Sequence, residues 1–444
     1  MAYLVYNLCL AGLSPVLALY LAQRYVSGKS KPGWSERWGA LPIDIGRRDP
    51  ARRRVWVHAV SAGEVVAATP ILRELRNELP EADIVFSVIT PAGYDMARRE
   101  ALRYVNSIFY FPFDLPWVVR RVVHTIGTDL FVSLESDMWP NLLHELKRSG
   151  AQTMLVNGRI TDASLKRIRR FGMPLFRWMT GNMDCLLMQS EADSRRMQEL
   201  SPVSRQSNIA VFGNSKFDQD LPVTSPSERD ALRASLGFGA DSRIFIAGST
   251  RSKEEEAIVL SAYSRMRAEC PDLCLIVAPR KIDRAGELEE AMRGAGLQPV
   301  RKTRLVSSKI QVQHLILDTM GELASVYSIA DITFVGNSFP PVVDGGGQNI
   351  VQPLAHGKPV IVGPYTATCR AEVTLATEAR VAFRVMDEEE LVEVGARLLN
   401  DPAARTAIEM RALELVRTNR GVSRRYAEAI ASMLQHAPSG ALAS

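Results

Sequence analysis

Ser61, Gly63 and Glu64 lie in the stretch HAVSAGEVVAATP, residues 58 to 70, where an apolar run gives way to helical spacing. A carboxylate at such a turn either caps the helix or takes part in chemistry. Capping has a definite form: in a capping box, Ser61 and Glu64 each accept a hydrogen bond from the other's backbone N–H. Spacing alone leaves both roles open. Val55 to Val60 is apolar and β-branched enough for a buried strand, and Val65, Ile71, Leu72 and Leu75 recur at helical intervals. The acid therefore sits at a strand-to-helix turn.

Turns in the second half of the chain suit an anion. In IFIAGSTRSKEEE a buried-type strand ends at Gly248, and Ser249, Thr250 and Arg251 precede an acidic helix start, so N–H groups and hydroxyls can face a phosphate. Ser252 and Glu255 fit a capping box there equally well. In CLIVAPRK, Pro279 and Arg280 close another strand, where an arginine reaches a ligand or makes a surface salt bridge. Gly345, Gly346 and Gly347 admit close backbone approach to a ligand, or form a flexible loop. No GxGxxG accompanies them, so a dinucleotide is not indicated. Asp218-Gln219-Asp220 has the DxD form of metal-dependent sugar transfer but abuts a linker and reads as chance.

The elements that hold these turns are legible as alternation. Strand-like runs at Asp83 to Val88, Asp129 to Leu134, Gln152 to Val156, Asp184 to Met188 and Ile209 to Phe212 are separated by helical stretches such as Trp117 to Ile126 and Leu142 to Lys147. After a proline- and serine-rich boundary, DLPVTSPSE, a second series follows at Ile244 to Ala247, Leu273 to Ala278, Val312 to Leu317, Ile332 to Val335 and Val360 to Val362. Such alternation predicts an α/β fold of two doubly wound parallel-sheet domains, with ligands outside the strand ends along the cleft between them. At 444 residues and 46% hydrophobic content, the chain is too long for one ordinary core.

Charge and cysteine usage narrow the setting. Net charge is only +5, but Arg47, Arg48, Arg52, Arg53 and Arg54 cluster early, and Lys166, Arg167, Arg169, Arg170 and Arg177 cluster later. Each cluster suits an anionic partner or is a solvated face. The five cysteines, at 9, 185, 270, 274 and 369, form no disulfide framework and read as reduced; Pro271 and the lack of nearby histidines argue against a metal at Cys270 and Cys274. Met1 to Gln23 carries no charged side chain and is about long enough to cross a ~30 Å hydrocarbon layer, while Arg24, Lys29, Lys31 and Arg37 follow it. This predicts a single N-terminal anchor with the bulk of the chain in the cytoplasm, or an interfacial helix dipping into one leaflet.

Taken together, the motifs WVHAVSAGE (56–64), FPFDLP (111–116), ESDMWPNL (135–142), VNGRITDAS (156–164), MQSEAD (188–193), GNSKFD (213–218), AGSTRSKEEE (247–256), APRK (278–281), DTMGEL (318–323) and GGQNIVQPLAHGKPVIVGP (346–364) resemble the Kdo transferases of lipopolysaccharide assembly. The resemblance implies a GT-B fold with a membrane anchor at 1–26, an acceptor-binding Rossmann-like domain at 34–220, a CMP-sugar donor-binding one at 229–415 and a C-terminal helix and tail at 416–444. It also implies transfer of Kdo, an acidic eight-carbon sugar, from CMP-Kdo to a lipid A precursor, with inversion at the anomeric carbon. No metal, cofactor or nucleic acid is implied, and the setting is the cytoplasmic face of the inner membrane.

Residue roles carry over on the same motifs. Glu64 becomes the general base, at a helix N-terminus expected to keep it ionised. Ser61, Gly63, Glu135 and Asp137 fall on the acceptor side. Ser249 and Thr250 meet the phosphate, Pro279 and Arg280 the CMP, and Met320, Gly321, Glu322 and Asn349 the nucleoside. The early arginines fit a phosphorylated lipid at the membrane surface. Two departures stand out: Gln348 replaces the usual histidine and Gln352 the glutamate that accepts from ribose hydroxyls. An amide accepts more weakly than a carboxylate. This leaves open a related transferase with another activated sugar or glycolipid, and a catalytically silent lipid-binding relative.

Overall fold

A computed structural model of the chain describes residues 1–28, 31–46, 49, 51–220, 224–305, 311–343 and 345–436. Two compact units emerge: Met1–Gln219 joined by the chain from Asn419 onward, and Asp220–Thr418.

The first unit holds strands β1 (Arg54–Ala59), β2 (Asp83–Val88), β3 (Ser107–Tyr110), β4 (Leu130–Leu134), β5 (Gln152–Gly158), β6 (Cys185–Met188) and β7 (Ile209–Val211). They form one sheet in the order β3, β2, β1, β4, β5, β6, β7, with every neighbouring pair parallel. Parallel strands need crossover helices, which cover both faces and bury the sheet. β1 shows the consequence. Val55, Val57 and Ala59 pack into one core with Val65, Ala68, Ile71 and Leu72, while Trp56 points the other way into a core of Phe109, Phe131, Val118 and Val122.

The second unit repeats the plan with β8 (Arg243–Thr250), β9 (Leu273–Pro279), β10 (Pro299–Arg301), β11 (His314–Ile316), β12 (Ile332–Val335), β13 (Val360–Val362) and β14 (Ala382–Arg384). Its order is β10, β11, β9, β8, β12, β13, β14, again parallel throughout. Each sheet reverses its direction of winding once, between β1 and β4 in the first and between β8 and β12 in the second. Ligands bind outside the carboxyl ends at such switch points.

The last described helix, Val422–His436, returns to the first unit. Tyr426, Ala427 and Ile430 join the core against the Ala62–Glu78 helix, and the Tyr426 hydroxyl donates to Gly213 O at 2.8 Å. Asp218 caps this return, accepting from the N–H groups of Gly421 and Ser423 at 2.6 Å each. The acid read as a chance DxD member thus has a structural task. The boundary stretch and tail lie partly outside the described residues, at 221–223 and 437–444.

Two expectations need correction. The N-terminal segment is two helices, Ala2–Gly12 and Ser14–Val26, bent by 63° with Pro15 in the first turn of the second. Proline is accommodated there because a first-turn N–H has no intrahelical partner. No single described helix is long and apolar enough to cross a membrane, though this pair passes the test together. The first helix is also docked: Tyr3 stacks on His144 and Trp178, with ring centroids 4.2 and 5.1 Å away, and Tyr6 donates to Asp114 Oδ2 at 2.9 Å.

The early arginines are the second case. Arg47 and Arg48 lie outside the described residues. Arg54 is buried, paired with Asp83 at 2.6 Å and donating to the carbonyls of Ile45 and Ile126. Arg52 donates to Glu81 O, and Arg53 lies 3.5 Å from Asp129. These three lie at the amino end of β1, the end opposite Glu64, and of them Arg54, being buried, is not available to a lipid phosphate.

Candidate active site

In the first unit the carboxyl ends of the strands bring acids and bases to one rim. Glu64 follows β1 in the first turn of the Ala62–Glu78 helix, and its Oε2 accepts from Val60 N at 2.7 Å. The Ser61 hydroxyl lies 3.5 Å from Oε1 and accepts no capping bond, so the expected capping box does not form. Ser61 and Glu64 are partly buried and Gly63 is exposed. Val60 O in turn accepts from the N–H groups of Ile89 and Thr90, fixing the turn against the end of β2.

Glu135 follows β4 and Arg159 follows β5. Glu135 is buried with its backbone at φ +57°, a left-handed conformation costly for a residue with a Cβ. Its Oε2 lies 2.6 Å from the Arg159 guanidinium, and its Oε1 lies 3.6 Å from Lys216 Nζ, beyond β7. Burial opposes the charge on Glu135, yet Arg159 and Lys216 outweigh it and hold the carboxyl below the usual glutamate range. Asp137 has the reverse balance: burial and the Glu135 charge push it up to about 7, against a smaller pull from Arg159. Among the described residues no hydrogen bond reaches Asp137 Oδ2, a buried oxygen.

Burial, Glu135 and Asp137, in that order, raise Glu64 well above an ordinary glutamate, while the Val60 N–H and Arg159 oppose them. A helix N-terminus contributes only about 0.3–1 kcal/mol to an anion, so it loses this contest. The expectation of a readily ionised Glu64 is therefore corrected: the group is a stronger base than a solvated glutamate.

Arg159 and Lys216 lie inside quoted motifs, but spacing gives them no role. Position immediately beyond a parallel strand is the signal that could have found them. Asn157 and Ser215 are further supports: Asn157, at φ +53°, accepts from Ser215 N at 3.1 Å, and the Ser215 hydroxyl donates to Ala67 O in the Glu64 helix.

The second unit carries a corresponding rim. Ser249, next to last in β8, has φ +59°, and Arg280 follows β9 with its N–H on Thr250 O at 2.8 Å. Burial, then the nearby Arg251 charge, lowers the Arg280 pKa, and among the described residues no acid pairs with either guanidinium. Thr250 points inward, its hydroxyl donating to Glu256, which also pairs with Arg284 at 2.8 Å. Pro279 is buried as the last residue of β9.

Glu255 departs from the capping reading. Ser252 does accept from Glu255 N at 3.1 Å, but the Glu255 side chain goes elsewhere. It accepts from four backbone N–H groups: Arg251 at 3.0 Å, Asn337 at 2.9 Å, Ser338 at 2.8 Å and Phe339 at 3.1 Å. The loops after β8 and β12 are thereby joined across the switch point. Gly336 permits the approach, since a Cβ there would lie 2.7 Å from Thr250 Cα.

Beyond β11, Met320 is exposed, Gly321 has φ +85°, and Glu322 bonds Lys302 and Thr319. Burial works against the Glu322 charge, but Lys302 and Thr319 leave its pKa lowered. Asn349 Oδ1 accepts from Val351 N at 2.9 Å, at the start of the Val351–Ala355 helix that carries the partly buried Gln352. The three glycines are not slack: Thr368 and Ala367 donate to the carbonyls of Gly346 and Gly345, and a Cβ on Gly347 would meet Cys369 Sγ at 2.5 Å. Among the described residues no group of three His, Cys, Asp or Glu side chains is placed to hold a metal.

Two seven-stranded parallel units with polar rims at their switch points make a GT-B fold. A glycosyltransferase from Rickettsia africae shares this fold at TM-score 0.59, with 12% identity over 87% of this chain and 100% of that one. Residues 32–219 match the family described as 3-Deoxy-D-manno-octulosonic-acid transferase (kdotransferase). The 3-deoxy-D-manno-octulosonic acid transferase of Chlamydia trachomatis serovar A is 30% identical over 390 residues, 86% of each chain. That of Haemophilus influenzae is 29% identical, covering 87% of this chain and 88% of its own. The chain belongs to the 3-deoxy-D-manno-octulosonic acid (Kdo) transferase family.

Proposed function

We propose that this protein moves Kdo from CMP-Kdo to an anionic lipid A precursor, with Glu64 as general base. The carrying observation is the Glu64 carboxylate itself: at the β1 to β4 switch point, one oxygen is fixed by Val60 N–H, and among the described residues the other has only the 3.5 Å contact with Ser61. In the step, an acceptor hydroxyl oxygen bonds to the anomeric carbon and its proton passes to Glu64. The bond from that carbon to the phosphate oxygen breaks, and CMP leaves with the electron pair from the opposite face, giving inversion. A base whose pKa is raised toward the working pH suits this transfer.

Asp137 Oδ2 supplies an acceptor for a further hydroxyl of the incoming sugar, and Glu135, with Arg159 and Lys216, positions it. On the donor side the Arg251 and Arg280 charges, with backbone N–H groups beyond Ser249, receive the departing phosphate. Met320, Gly321, Glu322, Asn349 and Gln352 hold the nucleoside. The bent N-terminal helix pair keeps the enzyme at the cytoplasmic face of the inner membrane, where its lipid acceptor resides.

Incubating the detergent-solubilised protein with CMP-Kdo and tetra-acylated lipid A precursor, then weighing the products by mass spectrometry, tests the reading. A mass increase of one or more Kdo units is expected. Glu64→Gln keeps the fold and CMP binding and abolishes transfer; retained transfer rules out the base assignment.

A further inference from the structure

Next to the carboxylate rim lies a cavity of about 180 Å³ whose walls are Met138, Ile160, Ile168, Phe176, Met179 and Met197. Its polar members are Ser136, Ser164, Arg159 and Arg167. We infer that this cavity is a subsite for one aliphatic chain of the lipid acceptor, a reading that rests on the proposed acceptor class.

Four observations converge on that occupant. First, six of the ten lining side chains are apolar and three of these are methionine, whose flexible thioether adapts to an unbranched chain rather than to one rigid shape. Second, the volume is below the 300–1,000 Å³ usual for a site enclosing a whole small ligand, so it takes part of a larger molecule. Third, Arg159 belongs both to this cavity and to the ion pair with Glu135, while Met138 directly follows Asp137, so the cavity borders the carboxylates. Fourth, the Met173–Gly181 helix supplies Phe176 and Met179 to the cavity and Trp178 to the stack with Tyr3 of the N-terminal helix. That N-terminal pair exposes Leu4, Leu8, Val16 and Leu19. The helix that forms part of the wall is thus also the one on which the apolar N-terminal pair is docked, so a chain leaving a membrane beside that pair has the cavity nearby.

The guanidinium of Arg167 adds direction. It closes the short Asp162–Arg167 helix and, with Arg159, offers positive charge to a phosphate on the sugar that bears the chain. A free fatty acid would satisfy the apolar walls but would not place a sugar hydroxyl at Glu64. The subsite therefore sets which lipid is used by holding its chain while the sugar is presented to the rim.

The test compares the acylated precursor with its fully deacylated disaccharide bisphosphate, using the full-length protein in detergent micelles. The wild-type enzyme is expected to favour the acylated acceptor at least tenfold in kcat/KM. Met179→Trp and Met197→Trp, which fill the cavity, are expected to shrink that preference about tenfold through KM. A preference unaltered in both variants overturns the subsite. A second readout is independent of turnover: an acceptor with a diazirine at the chain terminus is irradiated on the wild-type protein and the adducts are mapped. Labels on Phe176, Met179 or Met197 support the assignment; labels confined to other segments overturn it. Mapped labels without any Kdo transfer by the wild type would instead remove the proposed reaction and leave the lipid subsite standing.

Discussion

Glu135 and Arg159 are locked together twice: their side chains pair at 2.6 Å, and Arg159 N donates to Glu135 O at 3.0 Å. The charge of Glu135 is thereby fixed in place, and it adds to burial, the larger cause, in raising both Asp137 and Glu64. An ion pair that looks merely structural thus bears on the titration of its two neighbours.

Asp137→Asn separates these effects. Removing one negative neighbour favours the ionised form of Glu64, so the acid limb of the kcat/KM profile moves to lower pH by about half a unit or more. An unmoved limb would show that Glu64 is not the titrating base. Stability shifts in the same variant. Because the Asp137 carboxyl titrates near 7 when folded and near 3.8 when unfolded, the stability it lends is full below about pH 4 and is lost as pH rises through 7. The substituted protein matches the wild type at about pH 4 and exceeds it at about pH 8 by on the order of 4 kcal/mol in urea unfolding.

Ser249 carries strain of the same kind as Glu135. A left-handed backbone costs a residue with a Cβ about 1–2 kcal/mol, whereas glycine adopts it freely but loses more entropy on folding, roughly 0.5–1 kcal/mol. Ser249→Gly is therefore expected to raise stability by about 0.5 kcal/mol or more and to weaken CMP binding several-fold, because the hydroxyl is lost. Calorimetric titration with CMP and a thermal melt check both halves. A variant that gains stability and binds CMP as before would remove Ser249 from the phosphate contacts.

Much of this arrangement was legible because parallel strands buried on both faces read as unbroken apolar runs. β2, β12 and β13 coincide with the runs read from sequence, and the switch-point turns at Glu64 and Ser249 followed from them. The strands that escaped notice, β3, β10 and β14, are all at sheet edges and only three or four residues long. Too few side chains alternate there to stand out. The bend at Leu13 was hidden because continuous apolarity does not report backbone direction. Side-chain partners were least accessible: spacing placed Ser252 and Glu255 in a capping box, but only the fold brings residues 337–339 across to claim the carboxylate.

Glu255→Gln tests that claim. Both carboxylate oxygens face N–H donors, two apiece, so an amide NH₂ on either side sets donor against donor. The loss is about 2–3 kcal/mol, read from urea unfolding, with CMP affinity falling as the loops after β8 and β12 separate. Glu255→Gln with unchanged CMP affinity would mean that the two loops are held by other bonds.

Arg54 provides the complementary case, a cation that sequence alone placed beside an anionic lipid. It begins β1, and at about 3.3 Å per residue the five steps to Ala59 separate it from the Glu64 turn by roughly 16 Å of strand. Its guanidinium is spent on Asp83 and two carbonyls inside the fold. Arg54→Met leaves these groups without their partner and is expected to cost about 3–5 kcal/mol, visible as a lowered urea midpoint. Binding of the folded variant to anionic vesicles, followed by sedimentation, is expected to match the wild type. Reduced vesicle binding at undiminished stability would return this arginine to the membrane surface; unchanged binding with lost stability assigns its charge to the base of the sheet.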